Sequence, residues 1–315
     1  MRQMKALIAG LVAPLLAGSL LFGADPAPPR EEVGVKGSQD GRTTRVQLEH
    51  SKIRITGDVG NGRNDGYTMR SPCWYEPGLN AEEMFERMSD PVANRGRAQI
   101  DEEGFREFLE QFKEKLGRPG LWWTPAYNAG DPKGAACWAG LQQFVFVPPG
   151  ETPPSGITFQ ELAEIARAAL TVPEGKVALN PAAKSYVNLP TFVWLEGVGD
   201  TTRSVTATLP GVMSATVTAT LQDIRIDAGA GADRAEVRED GCGAAGREYR
   251  RGAPFTCGVR YLRSSIDQPR QVYELTVTSV WPVTVTGGAG IQFDPIEVEV
   301  TTEVPVGEVQ SNVRP

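Results

Sequence analysis

Histidine is almost missing from this chain: His50 is the only one in 315 residues. A Ser-His-Asp or Cys-His arrangement needs a positioned imidazole, and a histidine-based zinc site needs several. Neither is expected. A basic block is missing too. The net charge is −7 and the isoelectric point is near 5.1, so a nucleic-acid partner is not expected. Cysteine is limited to four residues, none at C-x2-C spacing, which argues against a cysteine-rich metal centre. The GAGAD run (Gly229 to Asp233) lacks the G-x-G-x-x-G spacing of a dinucleotide loop. No cofactor or metal is therefore expected. Carboxylates are plentiful, and a glycoside hydrolase needs only a suitably spaced pair of them. Glu76, Glu102 and Glu103 are available, though nothing in their setting distinguishes them.

What is present begins with an export pattern. Arg2 and Lys5 precede an uncharged stretch from Ala6 to Ala24, ended by Asp25, Pro26 and Pro28. This reads as a secretory signal peptide over residues 1–24. A retained membrane anchor through residues 6–24 is the alternative. The cysteines agree with an oxidising compartment. Four of them allow three pairings. Chain separation and the matching Cys-Trp settings at Cys73-Trp74 and Cys137-Trp138 favour Cys73–Cys137 and Cys242–Cys257. The second bridge closes a loop worth about 3 kcal/mol in the chain-entropy model.

Residues 25–70 are rich in Gly, Arg, Asp and Thr and poor in apolar side chains. They are expected to be a disordered spacer that includes His50. The alternative is a short edge strand over Val46 to Ile55, where alternation appears. Residues 71–175 read as a small α+β domain. Asn80 and Glu83 make a capping box ahead of a short helix. Phe105, Phe108, Leu109, Phe112 and Leu116 form an amphipathic stripe from Glu102 to Leu116, expected to face a core. Thr158 and Glu161 cap a third helix, which Pro173 ends. Between these helices lies a turn-rich stretch whose one strand is expected over Leu141 to Val147. Its rings are expected to build a loop-rich core beside a disulfide. If any is exposed as a glycan platform, Trp122, Trp123 and Tyr127 are the candidates.

Two prolines rule out a single helix over Asn180 to Leu195, which reads as a hinge whose last part, Thr191 to Leu195, is a strand. From Thr201 onward the pattern has period two. RSVTATL, ATVTATLQDIRID, VYELTVTSVWPVTVTG and IEVEVTTEVPVGEV all alternate as half-buried strands. The fold class is α+β: a small disulfide-linked domain followed by an all-β sandwich over residues 176–315. Asp223, Asp227, Asp233, Glu236, Glu239 and Asp240 concentrate carboxylates in one stretch. Without a D-x-D-x-D-G loop they are expected to be solvated turn charges, and Asp227 and Asp233 are the first to test for calcium.

The β half resembles PKD (polycystic kidney disease) domains. Ile226 to Gly231 falls where that family carries W-x-F-G-D-G, and Tyr273 to Thr278 where it carries Y-x-V-x-L-x-V. Ile226, Ala228 and Ala230 replace the family's Trp, Phe and Asp. More closely, the chain is similar to secreted actinobacterial proteins of unassigned function, through the NP…VNLPT hinge, Tyr261, Ser264-Ser265 and the closing VPVGEVQ. The resemblance implies a non-catalytic secreted or cell-surface protein, not an enzyme. Its PKD-like module would bind an extracellular protein or cell-wall glycan, or space other modules. A carboxylate-dependent wall hydrolase and a membrane-tethered envelope component are the alternatives.

Overall fold

The computed structural model describes residues 46–60, 62–92, 94, 102–288 and 290–309. The signal or anchor segment expected over residues 1–24 lies outside them, as do residues 25–45 and 61 of the expected spacer. Among the described residues no helix is long and apolar enough to cross a membrane.

The first sheet is built from β1 (Leu48–Glu49), β3 (Cys73–Pro77), β4 (Leu121–Asn128) and β5 (Val145–Val147). β4 is its central strand, with β3 on one side and β1 and β5 sharing the other. The sequence around β4 looks like loop because it holds Pro125. The Pro125 carbonyl accepts the Trp138 indole N–H (3.0 Å). The proline nitrogen faces that same side, where β5 stops at Trp123 and β1 starts at Tyr127. No ladder bond is lost there, so a proline fits mid-strand. The strand expected over Leu141 to Val147 shrinks to β5. Helices α1 (Ala81–Ser89), α2 (Glu102–Lys113) and α3 (Gly134–Ala139) accompany this sheet. Asn80 and Glu83 form the expected capping box on α1.

A second sheet runs in the order β15-β10-β9-β2, from β2 (Arg54–Gly57), β9 (Thr202–Leu209), β10 (Met213–Thr220) and β15 (Val283–Thr286). Helix α4 (Phe159–Ala169), capped by Thr158 and Glu161 as expected, packs on β9 and β10. Small residues meet there: Ala163 and Ala166 of the helix, Ala207, Ala215 and Ala219 of the sheet, all buried. They let helix and sheet approach closely. Every residue of α4 from Leu162 to Ala169 is buried, including Glu164 and Arg167.

What covers the outer side of α4 is the stretch from Val59 to Arg70. Val59 bridges to Leu170 and Arg63 to Val172. Asp65 takes Arg167 through two hydrogen bonds (2.6 and 3.2 Å). The Tyr67 ring lies 5.0 Å from the same guanidinium. The Arg70 backbone N–H donates to Glu164 (3.0 Å), and its side chain pairs with that carboxylate (3.2 Å). The described part of the expected spacer is therefore a structural strap. Its polar residues look solvated in sequence because their partners are charges buried on a helix about a hundred positions away.

Two further sheets share an inner layer. One is β11-β14-β16, from β11 (Asp223–Asp227), β14 (Tyr273–Trp281) and β16 (Ile296–Val304). The other is β12-β13-β8-β6, from β6 (Lys176–Asn180), β8 (Pro190–Glu196), β12 (Ala235–Arg238) and β13 (Gly258–Tyr261). Val193, Leu195, Val259 and Tyr261 join Ile224, Ile226, Leu275 and Val277 in one buried cluster. β7 (Ser185–Tyr186) and β17 (Val306–Gly307) add a short parallel pair. The expected hinge from Asn180 to Leu195 is thus more sheet than loop, through β7 and through β8, which pairs with β6 over Phe192 to Glu196.

The second and third sheets are joined by a continuous ribbon. β10 pairs with β15 up to Ala219↔Val283, and β11 pairs with β14 from Asp223↔Val280. The register slips by one residue between these points, so Thr220 to Gln222 form a bulge opposite Trp281 and Pro282. Thr220 N donates to the Pro282 carbonyl (3.1 Å) and Gln222 N to Val280 (3.0 Å). A bulge bends its strand, and a proline placed there forfeits no ladder bond. The strap, α4 and this ribbon place residues from both sides of the expected 175/176 boundary in one core.

Candidate functional site

One concavity among the described residues is a cleft of about 460 Å³ at one end of the β11-β14-β16 sheet. Register builds it. Asp227 stands opposite Thr276, and Thr276 opposite Thr301, so the three share one outward row. The two threonine hydroxyls lie 2.9 Å apart. Asp227 accepts the Gly229 N–H (2.9 Å). Gly229 has φ +66°, and a Cβ there would collide with the Glu274 backbone. This is what requires a glycine in the GAGAD run. A 3-10 turn at Pro269–Gln271 closes the cleft, with Arg270 and Gln271 both at positive φ. Arg270 bridges Glu274 and Glu303. Buried Ser265 anchors the turn by donating to the Gln271 carbonyl (2.5 Å) and accepting Val306 N–H (2.9 Å).

Behind this turn lies a braced aromatic pair. Tyr261 and Tyr273 stack with centroids 4.7 Å apart. Arg234 donates to the Tyr273 hydroxyl (3.0 Å) and forms a two-pronged pair with Asp267. Hydrogen bonds from Arg234 and Gln268 hold the Asp267 carboxyl down at about 2. Burial pushes the Tyr261 phenol up, helped by nearby Tyr273 and Asp227. Asp267 and Tyr261 themselves stand behind the cleft, although Gln268 and Asp227, which contribute to their shifts, line it. The cleft itself offers a carboxylate at Asp227, two hydroxyls, the Gln268 amide and Glu274 tied to Arg270. Such a lining suits a polar, hydroxyl-bearing or cationic group.

A second surface is the outer face of β15-β10-β9-β2. It carries Thr202, Ser204, Thr206, Thr208, Ser214, Thr216, Thr218, Thr220, Thr284, Thr286 and Thr56, with Arg54 at the edge as the one charge that these strands place on it among the described residues. Cross-strand hydroxyl pairs join Thr206 to Thr216 (2.8 Å) and Thr208 to Ser214 (3.1 Å). The opposite face is buried under α4, so the period-two pattern read from the sequence sorts hydroxyls outward and Val and Ala inward.

The aromatic candidates fall differently. Trp122 is 3% exposed and packs under α1 and α2 against Phe112 (4.7 Å). Trp123, on the other face of β4, is 9% exposed in the main core. Neither is a platform, because β4 is covered on both faces. Tyr127 is half-buried, near Trp138 (5.8 Å), and His50 stacks on Trp138 (4.9 Å). The surface rings of this region are therefore Tyr127, Trp138 and His50. His50 was missed because it sat in the expected spacer. The alternation of Val46 to Ile55 was the signal available for it. Of the amphipathic stripe on α2, Phe112 alone is fully buried, and Leu116 is 40% exposed.

The disulfides are as expected: Cys73–Cys137 and Cys242–Cys257, with Cα separations of 5.8 and 4.7 Å. Among the described residues no group of three or more His, Cys, Asp or Glu could hold a metal. Asp227 lines the cleft, while Asp233 is exposed and faces Arg263 at 3.9 Å. Glu76 is buried and accepts three hydrogen bonds, from Ser51 Oγ (2.6 Å), Lys52 N (2.7 Å) and Trp74 Nε1 (2.8 Å). It anchors the chain after β1 and is occupied structurally. Glu102 and Glu103 lie exposed on the first turn of α2. No protein-family model, curated protein or solved structure matches the chain significantly.

Proposed function

We propose that this chain is an exported, non-catalytic protein whose PKD-like β-sandwich binds an extracellular protein or a cell-wall glycan, or spaces other modules. The two disulfides suggest an oxidising extracellular environment. The observation that carries the reading is the hydroxyl face of β15-β10-β9-β2. It is broad, open and nearly free of charge on a chain in which 23% of residues are charged. An in-register array of hydroxyls offers repeated donors and acceptors to a neutral hydroxyl-bearing surface without a desolvation cost for buried ions. The polar cleft beyond the bulge adds a second place for a sugar or a polar side chain.

Co-sedimentation of the purified protein with insoluble cell-wall glycan tests the reading. Thr206→Lys with Thr216→Lys places two bulky charges mid-face and is expected to reduce the bound fraction severalfold. Retention equal to wild type in that variant, together with no retained envelope protein, would sink the proposal.

A further inference from the structure

We propose that the outer face of the β12-β13-β8-β6 sheet, together with the loop closed by Cys242–Cys257, binds an anionic glycan. The face is built around a missing side chain. Gly258 has φ +137°, and a Cβ on it would press on the Phe192 backbone and the Phe255 ring. Without that Cβ, Phe255 lies down on the sheet beside Phe192 (5.4 Å between centroids). Tyr249, 39% exposed, extends the row by packing edge-on to Phe192 at 5.1 Å. The result is an aromatic floor made by two strands and a disulfide-closed loop.

Arginines rim that floor. Strand register puts Arg238 opposite Gly258 and Glu236 opposite Arg260. The guanidinium carbons of Arg238 and Arg260 sit 5.5 and 5.8 Å from the Phe255 ring centroid. Arg247 reaches the same spot, donating to Thr256 Oγ1 (3.1 Å). Arg250 and Arg251 are exposed on the loop and make no ion pair among the described residues. Of the nearby acids, Glu236 is engaged by Arg260 (3.4 Å) and Glu239 accepts the Ile226 backbone N–H. Asp240 and Glu248 remain against Arg238, Arg247, Arg250 and Arg251, on a chain whose net charge is −7. Arg260 also carries a buried Nε with no hydrogen-bond partner among the described residues.

Guanidinium forks match carboxylate, sulfate and phosphate oxygens. The exposed Tyr249 ring and the half-buried Phe255 ring set between them suit the apolar faces of sugar rings better than an acidic peptide backbone. A loop held by a disulfide loses little freedom on binding. The inference refines the binding-module reading and rests on it only for the extracellular setting. It concerns a different face from the hydroxyl array.

The test titrates the full exported chain with heparin and with polygalacturonate by isothermal calorimetry. Neutral dextran, poly-L-glutamate and phosphatidylglycerol vesicles are run in parallel. The expected result is salt-sensitive binding of both anionic glycans, weakened about tenfold or more by Arg250→Ala with Arg251→Ala. Tyr249→Ala is expected to weaken the glycans several-fold while leaving the charge intact. Arg250 and Arg251 are exposed, so circular dichroism should show their variants folded. No binding to either anionic glycan overturns the proposal. So does binding that the double variant leaves unchanged, or equal binding to polyglutamate or vesicles that is indifferent to Tyr249→Ala. Retention on neutral wall glycan in any of these cases leaves the broader binding-module reading standing.

Discussion

Arg167, 1% exposed on α4, is held by Asp65 of the strap through two hydrogen bonds (2.6 and 3.2 Å). An arginine in the middle of a buried helix is stable only if its charge is met. Asp65→Ala is expected to destabilise the protein by about 3–5 kcal/mol, because it leaves a buried charge without its partner. Arg167→Met with Asp65→Asn should recover much of that loss. Urea unfolding of the single and double variants measures the coupling. Equal losses in the single and double variants would show that Tyr67 and water suffice.

The strap and β2 predict the outcome of truncation. A chain beginning at Ser71 loses the β2–β9 ladder, buried Val46, Ile53 and Ile55, and the ion-pair partners of Glu164 and Arg167, Arg70 and Asp65. It should show a broad, non-cooperative thermal transition, whereas the full chain should melt cooperatively. Differential scanning calorimetry of the two separates these outcomes.

Two tryptophans should respond unequally to the same change. Trp122 is buried among apolar rings, and its Nε1 has no hydrogen-bond partner among the described residues. Trp122→Phe removes an unsatisfied donor and should cost no more than about 1.5 kcal/mol, while Trp122→Ala should cost about 3–5 kcal/mol. The Trp74 indole donates to Glu76 (2.8 Å). Trp74→Phe takes one of three donors from a buried carboxylate, so it should cost about 1.5–3 kcal/mol plus the volume lost. Denaturation midpoints at constant slope give the ranking.

The two disulfides span 64 and 15 residues. In the chain-entropy model, replacing both cysteines by serine should cost about 4 kcal/mol for the long loop and about 3 kcal/mol for the short one. The short bridge also holds the arginine loop. Its loss should weaken heparin binding more than its stability cost suggests, which calorimetry on the folded variant can read.

Acid stability should carry a mark from Asp267. Its carboxyl is held at about 2, below the ordinary 3.8, first by hydrogen bonds from Arg234 and then from Gln268. A group whose folded pKa is depressed contributes above its unfolded pKa and is lost as pH falls through the folded one. The contribution should fade between about pH 4 and pH 2. Asp267→Asn should flatten that part of the stability–pH curve and leave the region above pH 5 parallel to wild type. Thermal melts across that range check the slope.

Local patterns carried over well wherever a side chain's role depends on near neighbours. Both capping boxes, the alternation from Thr202 to Thr220 and the cysteine pairing are short-range or topological facts. The strap and β4 were misread because their environments are made by distant chain. Asn64, Asp65 and Arg70 look solvated until α4 presents Ala168, Arg167 and Glu164 to them. Pro125 looks like a turn until the gap between β1 and β5 is known. Trp122 and Trp123 fit the expected core, but they stay among the candidates for an exposed ring until both faces of β4 are known to be covered, because burial on both faces of a strand does not follow from its own residues.

The amino-acid sequence alone decided which segments alternate, where helices begin and which chemistries a single histidine rules out. These depend on dihedral preference, side-chain period and residue inventory, all carried by the local chain. Only the tertiary structure decided that hydroxyls from four strands share one open face. It also decided that arginines from two strands and a loop meet over Phe255, and that the strap neutralises α4. Those arrangements come from register and packing between residues far apart in sequence, where the free energy belongs to pairs that no local pattern contains.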